Sequence, residues 1–239
     1  YWGVFCPNYY VLSTAQATYG SLTSPDALAF ILGNYRIPSF WRIDKDNNYE
    51  LLYGDTTNPK PVYDKEGNIE KWELEPSGLE AKWGRGGFGN LWTIYIWAIQ
   101  EYEGNMYVGT MDLSNLADAA GSNLVGDDNF ATLSKLLTGL DASDEGFELL
   151  RMTDEEEAPK YITQNGFNNA QQYGVRNLEV VGDRLMLGSA SMSSLKPNGG
   201  WHVFSITDAK TSASVSQSMI KKPGIIMERR SEERRVGKE

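Results

Sequence analysis

Two acidic residues have the chemistry that acid–base catalysis needs. Asp112 directly follows "GTM", and Glu101 lies eleven residues before it. Hydrolysis of a glycosidic bond uses two carboxyl groups at a defined separation, one as the acid and one as the base or nucleophile. That separation depends on the fold, and both residues fall where solvated turns are expected. We therefore favour a structural interpretation of this pair over a catalytic one.

Four other residues form a candidate ligand-binding set together with Asp112. Tyr95 and Trp97 lie in "IYIWAI", and Tyr173 and Arg176 lie in "YGVR". An aromatic face beside a guanidinium can bind a sugar ring or a carboxylate. The ordinary alternative, which we favour, is that these side chains pack between neighbouring sheets with the arginine paired to an acidic group. As a binding set, they predict a glycan or protein ligand.

His202 is the single histidine of the chain. A Ser-His-Asp triad or a multi-histidine metal site would have to be built around it. It alternates with Trp201 and Val203 in a segment that is typical of a strand. We therefore expect a structural histidine and assign no catalytic residue.

The segment "DKDNNYELLYGD" resembles the start of a calcium-binding loop. Asp44, Asp46 and Asn48 occupy its first, third and fifth positions, but Tyr49 replaces the glycine that such a loop has at its sixth. A hairpin turn made of residues that tolerate left-handed backbone explains the same sequence without a metal, and we favour that interpretation. Ca²⁺ at these three residues stays the alternative, and no other cofactor is expected.

The composition argues against two classes of partner. The formal net charge is -10 and the pI is about 4.7, so nucleic acid and anionic membranes are repelled at long range. No apolar run approaches the roughly 20 residues that a membrane-spanning helix needs. Cys6 is the only cysteine, which excludes an internal disulfide and favours a buried, inert thiol.

The sequence repeats itself at two fixed offsets. "GFELLRMTD", residues 146–154, matches "GWHVFSITD", residues 200–208, 54 positions later. "GFGNLWTIYIWAIQEYEGNMYVGTMD" from Gly87 aligns without gaps with "GFNNAQQYGVRNLEVVGDRLMLGSAS" from Gly166, 79 positions later. Glycine and aromatic residues at fixed positions indicate a structural repeat. The offsets differ because only the connection between the two segments changes length.

Each copy predicts four short antiparallel strands. The order is a strand, a polar turn, a second strand with a glycine, a loop, a third strand, an aspartate-bearing turn and a fourth strand. This pattern predicts an all-β fold, namely a β-propeller fragment with about three four-stranded blades. The blades are assigned to residues 1–80, 87–165 and 166–220, within a partial propeller of residues 1–229.

The first copy is the most divergent. "YWGVFCPNYYVLSTA" is expected to supply strands of its first half, and "SFWRIDKDNNYELL", residues 39–52, those of its second half. Helical insertions are expected in the long connections: Ser24-Pro25 predicts a helix start before "ALAFIL", and Asp127 or Asp128 another before "NFATLSKLL". A further hairpin is predicted between Pro61 and Leu74.

With these repeats, the chain resembles a group of uncharacterised bacterial β-propeller proteins. The segments that carry the resemblance are "YIWAIQEYEGNMYVGTMD", "YGVRNLEVVGDRLMLGSA" and "GGWHVF". It covers residues 87–208 well and 1–55 loosely, and it implies the fold and a bacterial origin but no activity. "RIDKDNNY" also resembles the Asp box of sialidase-type propellers, with Asp46 in place of its glycine. Such boxes are structural turns and do not imply sialidase activity.

Both ends of the chain bear on its origin. "RSEERRVGKE", residues 230–239, resembles the translation of a sequencing-library adapter, so we expect a non-native tail. The chain begins without a methionine, and we expect it to be a piece of a longer, environmental reading frame.

Our first hypothesis is a non-enzymatic scaffold or binding module for a glycan or protein, in the bacterial envelope or outside the cell. The alternative is a carbohydrate-acting propeller hydrolase of sialidase or glycosidase type.

Overall fold

The computed structural model describes residues 1–22, 24–114, 145–191, 194–195, 197–206 and 226–228. Its elements, in chain order, are β1 (Trp2–Gly3), α1 (Asn8–Tyr19), α2 (Pro25–Asn34), β2 (Phe40–Ile43), β3 (Tyr49–Tyr53), β4 (Thr57–Tyr63), β5 (Ile69–Pro76), β6 (Thr93–Tyr102), β7 (Asn105–Asp112), β8 (Leu149–Met152), β9 (Lys160–Thr163), β10 (Gln172–Val181), β11 (Arg184–Ser191), β12 (Val203–Ile206) and β13 (Ile226–Glu228).

The described chain consists mainly of antiparallel sheets, which confirms the all-β prediction at that level. Eight strands form one antiparallel sheet in the order β13-β12-β11-β10-β7-β8-β9, with β6 also paired to β7. Within it, β6 to β9 form one meander, here called sheet 2, and β10 to β13 form another, sheet 3. Residues at equivalent positions of the repeat form equivalent strand pairs in the two sheets. Gly109 of sheet 2 pairs with Ala98 and Leu149, and Gly188 of sheet 3 pairs with Asn177 and Val203.

The N-terminal copy differs from the expected four-stranded blade. It contains a three-stranded sheet, sheet 1, in the order β1-β2-β3, and a separate hairpin of β4 and β5. That hairpin lies where one was predicted. Pro59 and Pro61 lie in β4 and donate no backbone hydrogen bond, so this strand is suited to an edge rather than to extending sheet 1.

The segment "YYVLST" was expected to be a strand and is instead part of α1. Val11, Leu12 and Ala15 lie on one face of this helix and pack in a cluster with α2, a helical spacing that outweighs the strand propensity of the tyrosines. Gly20 ends the helix at a φ of 69°, and its N–H donates to the Gln16 carbonyl at 2.9 Å. The first half of copy one is therefore a two-residue strand and a helix.

Helix α2 begins as the sequence predicts. The Ser24 hydroxyl accepts a hydrogen bond from the Ala27 N–H at 3.3 Å, and Pro25 occupies the first helical position. The helix continues to Asn34.

The Ser24 cap gives a direct stability test. Ser24→Ala is expected to lower the free energy of unfolding by about 1 kcal/mol, because it leaves a backbone N–H of the first turn without its acceptor. Ser24→Thr, which keeps the hydroxyl, should lose less than half of that in a urea titration. Equal losses for both variants would contradict a capping role.

Neighbouring sheets are joined at equivalent places. Phe5, just after β1, pairs with Tyr95 of sheet 2, and Met111 of sheet 2 pairs with Gly174 of sheet 3. Tyr95 and Gly174 are 79 positions apart, which is the offset of the repeat. The joint between sheets 1 and 2 is therefore the same as that between sheets 2 and 3.

Repeated glycines allow the sheets to approach closely at these joints. A Cβ added to Gly3 would lie 2.4 Å from the Ile96 Cβ, and one added to Gly109 would lie 2.4 Å from the Val175 Cβ. Ile96 and Val175 are also 79 positions apart. The second strands of sheets 1 and 2 thus use their glycines to receive a β-branched residue from the first strand of the following sheet.

Apolar side chains fill the spaces between the sheets. Phe40, Val108 and Leu150 belong to a core cluster shared by sheets 1 and 2, whereas Tyr107 and Leu187 belong to one shared by sheets 2 and 3. A third cluster joins the two helices to the start of sheet 2.

Left-handed turns lead into the first strand of both complete meanders. Gly87 and Phe88 have φ angles of 58° and 57°, and Gly166 and Phe167 have φ angles of 59° and 60°. Phenylalanine rarely adopts this conformation. Its ring compensates in each turn by packing against neighbouring aromatic rings, Phe88 against Phe40 and Tyr53, and Phe167 against Phe147 and Phe204.

Some predicted features lie outside the described residues, namely the helix expected after Asp127 or Asp128 and the tail of residues 230–239. Within the described ranges, no helix has the length and apolar character that crossing a membrane requires.

Candidate functional site

Three aromatic rings lie side by side on the first strands of sheets 2 and 3. The ring centroids of Tyr95 and Trp97 are 5.8 Å apart, and those of Trp97 and Tyr173 are 6.4 Å apart, with 26° between the ring planes in both pairs. Trp97 lies at a β-bulge between Ile96 and Ala98, and its ring is the neighbour of Tyr95 on β6. All three side chains are partly exposed, so they present a continuous aromatic surface across the joint between two sheets.

Two residues of β10 determine the position of Trp97. A Cβ on Gly174 would lie 2.4 Å from the Trp97 Cζ3, so the indole occupies the space that this glycine leaves. The Arg176 guanidinium lies over the indole, 4.9 Å from its ring centroid, where the negative face of the ring attracts a cation. In the described part of the chain, no carboxylate lies within ion-pair distance of Arg176, contrary to the expected Arg–carboxylate pairing.

The aromatic surface continues onto the N-terminal copy. Phe5 contacts Tyr95 with a centroid separation of 4.8 Å, Tyr9 lies 6.5 Å from Phe5, and Tyr10 lies 4.3 Å from Tyr9. Phe5, Tyr9 and Tyr10 all count among the exposed large hydrophobic side chains. We call the whole set the aromatic row: Tyr10, Tyr9, Phe5, Tyr95, Trp97 and Tyr173. The three N-terminal members were not predicted, because that segment was expected to be a strand.

Asp112 lies away from the row, in a buried pair with Glu148. The Asn90 side-chain amide donates to the Asp112 Oδ2 at 2.8 Å and to the Glu148 Oε1 at 3.0 Å, and so bridges the two carboxyl groups. Asp112 is 0% exposed and Glu148 is 2% exposed. The expectation that Asp112 is a solvated turn residue is therefore wrong.

Hydroxyl groups satisfy the remaining oxygens of the pair. Glu148 Oε2 accepts from the Thr93 hydroxyl at 2.7 Å and from the Thr110 hydroxyl at 3.1 Å. Asp112 Oδ1 accepts from the Ser114 N–H at 2.8 Å and from its hydroxyl. Within the described ranges, no lysine, arginine or histidine forms an ion pair with either group.

Burial of Asp112 and Glu148 without a paired cation favours the protonated, neutral forms of both carboxyl groups. Desolvation raises the pKa of Asp112 to about 6. Desolvation, and then the nearby Asp112 charge, raise the pKa of Glu148 to about 7. The aspartate and the glutamate therefore resist simultaneous ionisation near neutral pH.

Glu101 is not part of this pair. It lies at the opposite end of the β6–β7 hairpin, where its carboxylate accepts from the Gly104 N–H at 2.9 Å within the turn. The two acidic residues singled out from the sequence are thus separated by the length of the hairpin, and the actual partner of Asp112 is Glu148. Glu148 was aligned only with His202, and its burial was not predicted.

His202 occupies a structural position. Its backbone N–H donates to the Ser189 hydroxyl at 2.8 Å, its carbonyl accepts from that hydroxyl at 3.1 Å, and its ring packs edge-on against Phe204. Ser189 aligns with Thr110 at the 79-residue offset. The hydroxyl that contacts Glu148 in sheet 2 thus has a counterpart beside His202 in sheet 3.

The calcium-like segment forms the turn between β2 and β3. The Asp44 carboxylate accepts from the N–H groups of Asp46 and Asn48 at 2.8 and 2.9 Å and from the Asn48 amide at 2.7 Å. Asp64 accepts equivalent bonds in the turn between β4 and β5. The turn interpretation thus accounts for the aspartate, and the described residues include no group of three or more His, Cys, Asp or Glu that could hold a metal.

A cleft of about 520 Å³ opens beside the end of α2. Arg36 and Arg85 both line it; the Arg85 Nε lies 3.2 Å from the Asp55 Oδ1, and Arg36 donates to the carbonyls of Gly33 and Tyr35. Its lining residues are spread along the chain from Leu32 to Leu91, so no local motif could have indicated it. Both guanidinium groups already have partners in the fold.

Four of the five predicted ligand-binding residues therefore come together at the aromatic row, and Asp112 does not. Comparison with protein-family models, curated proteins and solved structures gives no significant match to this chain.

Proposed function

We propose that this chain is part of a β-propeller that acts as a non-enzymatic binding module, and that its ligand is a glycan with an acidic group. The observation that carries the proposal is the near-parallel set of Tyr95, Trp97 and Tyr173 with Arg176 over the indole.

The propeller part of the proposal is supported by the repeated geometry of the sheets. Two antiparallel meanders of four strands share one register, and equivalent glycines receive Ile96 and Val175 at successive joints. About three blades then correspond to sheets 1, 2 and 3. The β4–β5 hairpin and the two helices are additions to the first of them.

The glycan part follows from the chemistry of the row. The C–H faces of sugar rings carry a slight positive charge and stack on the negative faces of aromatic rings. Centroid separations of 5.8 and 6.4 Å give the row a length that matches one sugar or two linked sugars. The Arg176 guanidinium supplies a planar donor for a carboxylate, such as that of a uronic acid.

Trp97 should dominate binding. With acidic oligosaccharides as probes in isothermal titration calorimetry, Trp97→Ala is expected to weaken binding by about tenfold or more, since central aromatic contacts commonly contribute over 1 kcal/mol. Trp97→Phe should retain part of the affinity. Trp201→Ala removes an exposed tryptophan outside the row and is the matched control. Equal affinities for Trp97→Ala and Trp201→Ala would contradict the assignment.

Arg176 should determine the preference for acidic ligands. Arg176→Gln is expected to weaken binding of uronic acid oligosaccharides several-fold more than binding of neutral analogues. The ionic contact is lost only for acidic ligands, whereas the cation–π contact with Trp97 is lost for both. Equal loss for both ligand types would assign Arg176 to packing alone. Binding of peptides and of no glycan would replace the proposed ligand class with protein.

The alternative function, carbohydrate hydrolysis, is favoured by one observation, the Asp112–Glu148 pair with raised pKa values. Glycosidase carboxyl groups flank the bond that is cleaved and must contact the substrate. Asp112 and Glu148 are buried and saturated with hydrogen bonds, which supports a structural role. Release of reducing sugar that is abolished by Glu148→Gln would establish the hydrolase instead.

A further inference from the structure

Gly188 lacks the contact that its counterparts make. A Cβ on Gly3 or Gly109 would lie 2.4 Å from a β-branched residue of the following sheet, whereas among the described residues a Cβ on Gly188 would meet Asn177 alone, at 3.6 Å. Gly188 has no positive φ that would require glycine. Its own sheet therefore gives no steric reason for a glycine there.

The surface around Gly188 is apolar and exposed where sheet 2 is apolar and buried. In sheet 2, the residues that face sheet 3 around Gly109 are Tyr102, Tyr107, Phe147 and Leu149. Their counterparts in sheet 3, at offsets of 79 and 54, are Val181, Met186, Trp201 and Val203. Trp201 is 55% exposed where Phe147 is 0%, and Val181 is 60% exposed where Tyr102 is 6%. Sheet 3 thus carries apolar side chains at the positions of an inter-sheet core, with Val181 and Trp201 exposed and Met186 and Val203 half-buried.

We propose that this face, centred on Gly188 and Trp201, docks a further antiparallel sheet whose first strand places an isoleucine or valine over Gly188. The interface would continue the one between sheets 2 and 3, because the glycine, its register and the surrounding apolar positions are the same.

A second copy of these 239 residues does not fit this role. The β-branched residues at the required position are Ile96 and Val175, and they already pack on Gly3 and Gly109 of their own chain. No other described β-branched residue is placed to fill this position, and the occupant that we propose is additional polypeptide that carries a further copy of the repeat. The inference rests on the repeated contact and not on glycan binding, so the two can fail separately.

Appending a second copy of residues 164–228 after Arg229 of the full chain supplies such a sheet. The extended protein is expected to melt about 5 °C or more above the original chain, as interface burial of a few kcal/mol gives at this size. Trp201 should also become buried, which fluorescence of a Trp201→Phe variant, compared with its parent in both proteins, would detect.

Gly188→Ala is the decisive variant. It should leave the melting temperature of the original 239 residues unchanged, since its Cβ would have ordinary contacts there, and should remove the gain in the extended protein. An extended protein with no gain, or one whose gain survives Gly188→Ala, overturns the proposal. A dimer of the original chain that Gly188→Ala disrupts would overturn the exclusion of a second copy.

Discussion

Gly109→Ala is expected to lower the free energy of unfolding by about 3 kcal/mol, the upper part of the range for overpacking a well-packed core. The new Cβ would lie 2.4 Å from both the Cβ and the Cγ1 of Val175. Both residues lie within strands of stacked sheets, so neither side chain can rotate away, and sheets 2 and 3 must separate. Urea unfolding followed by circular dichroism measures the loss.

Two further variants test the mechanism of that loss. Gly188→Ala introduces the same methyl group at the equivalent position, where its nearest neighbour would be 3.6 Å away, and should change stability by less than about 0.5 kcal/mol. In the double variant Gly109→Ala with Val175→Gly, the clash is absent, so the loss should be at least about 1 kcal/mol smaller than the sum of the single losses. Strict additivity would show that the two residues do not meet.

The free energy of unfolding is expected to fall by about 4 kcal/mol as the pH rises from 5 to 8. Ionising Asp112, whose pKa burial raises from 3.8 to about 6, contributes roughly a third of this fall, and ionising Glu148 contributes the rest. The pKa of Glu148 rises from 4.5 to about 7 on folding, and one pKa unit corresponds to about 1.4 kcal/mol. The folded state therefore binds more protons than the unfolded state across this window. Asp44, Asp64 and Glu156 have lowered pKa values, so their opposite contributions fall below pH 5.

Glu148→Gln separates this effect from the rest of the molecule. The amide can accept from Asn90 with its oxygen and donate to the Thr93 and Thr110 hydroxyls, so the network stays satisfied without a charge. The variant should lose most of the pH dependence and exceed the parent in stability at pH 8. Asn90→Asp should do the reverse, losing about 3 kcal/mol at pH 8, since it adds a half-buried carboxylate beside the two buried ones and removes the shared donor. A parent protein with a flat pH profile between 5 and 8 would contradict the pair.

The repeat made sheets 2 and 3 predictable from sequence. Strand order, the β4–β5 hairpin and the role of Gly109 all follow from periodicity and from glycine at fixed offsets. The first copy was less predictable, because "YYVLST" combines tyrosines of high strand propensity with apolar residues at helical spacing. Val11 and Leu12 pack against α2, and this tertiary contact stabilises the helix relative to a strand.

In the candidate site, too, some residues were predictable from the repeat and others are placed by tertiary contacts. Tyr95, Trp97, Tyr173 and Arg176 could be grouped from the sequence because they lie on equivalent first strands. Phe5 and Tyr9 could not, since the path of the chain between β1 and β2 brings them to the row. Glu148 was missed for another reason: a charged residue between Phe147 and Leu149 gave no sign of burial, although Asn90, Thr93 and Thr110 lie at positions that the repeat aligns.

The connection between second and third strands has a practical consequence for protein engineering. It spans residues 4–39, 113–148 and 192–202 in the three sheets, yet Gly3, Gly109 and Gly188 keep the same pairing with the third strand. A threefold change in loop length costs only about 1 kcal/mol of closure entropy. The short third connection is therefore a natural display position for a grafted peptide. It lies beside the start of β10, so the graft would extend from the same end of the sheets as Tyr173.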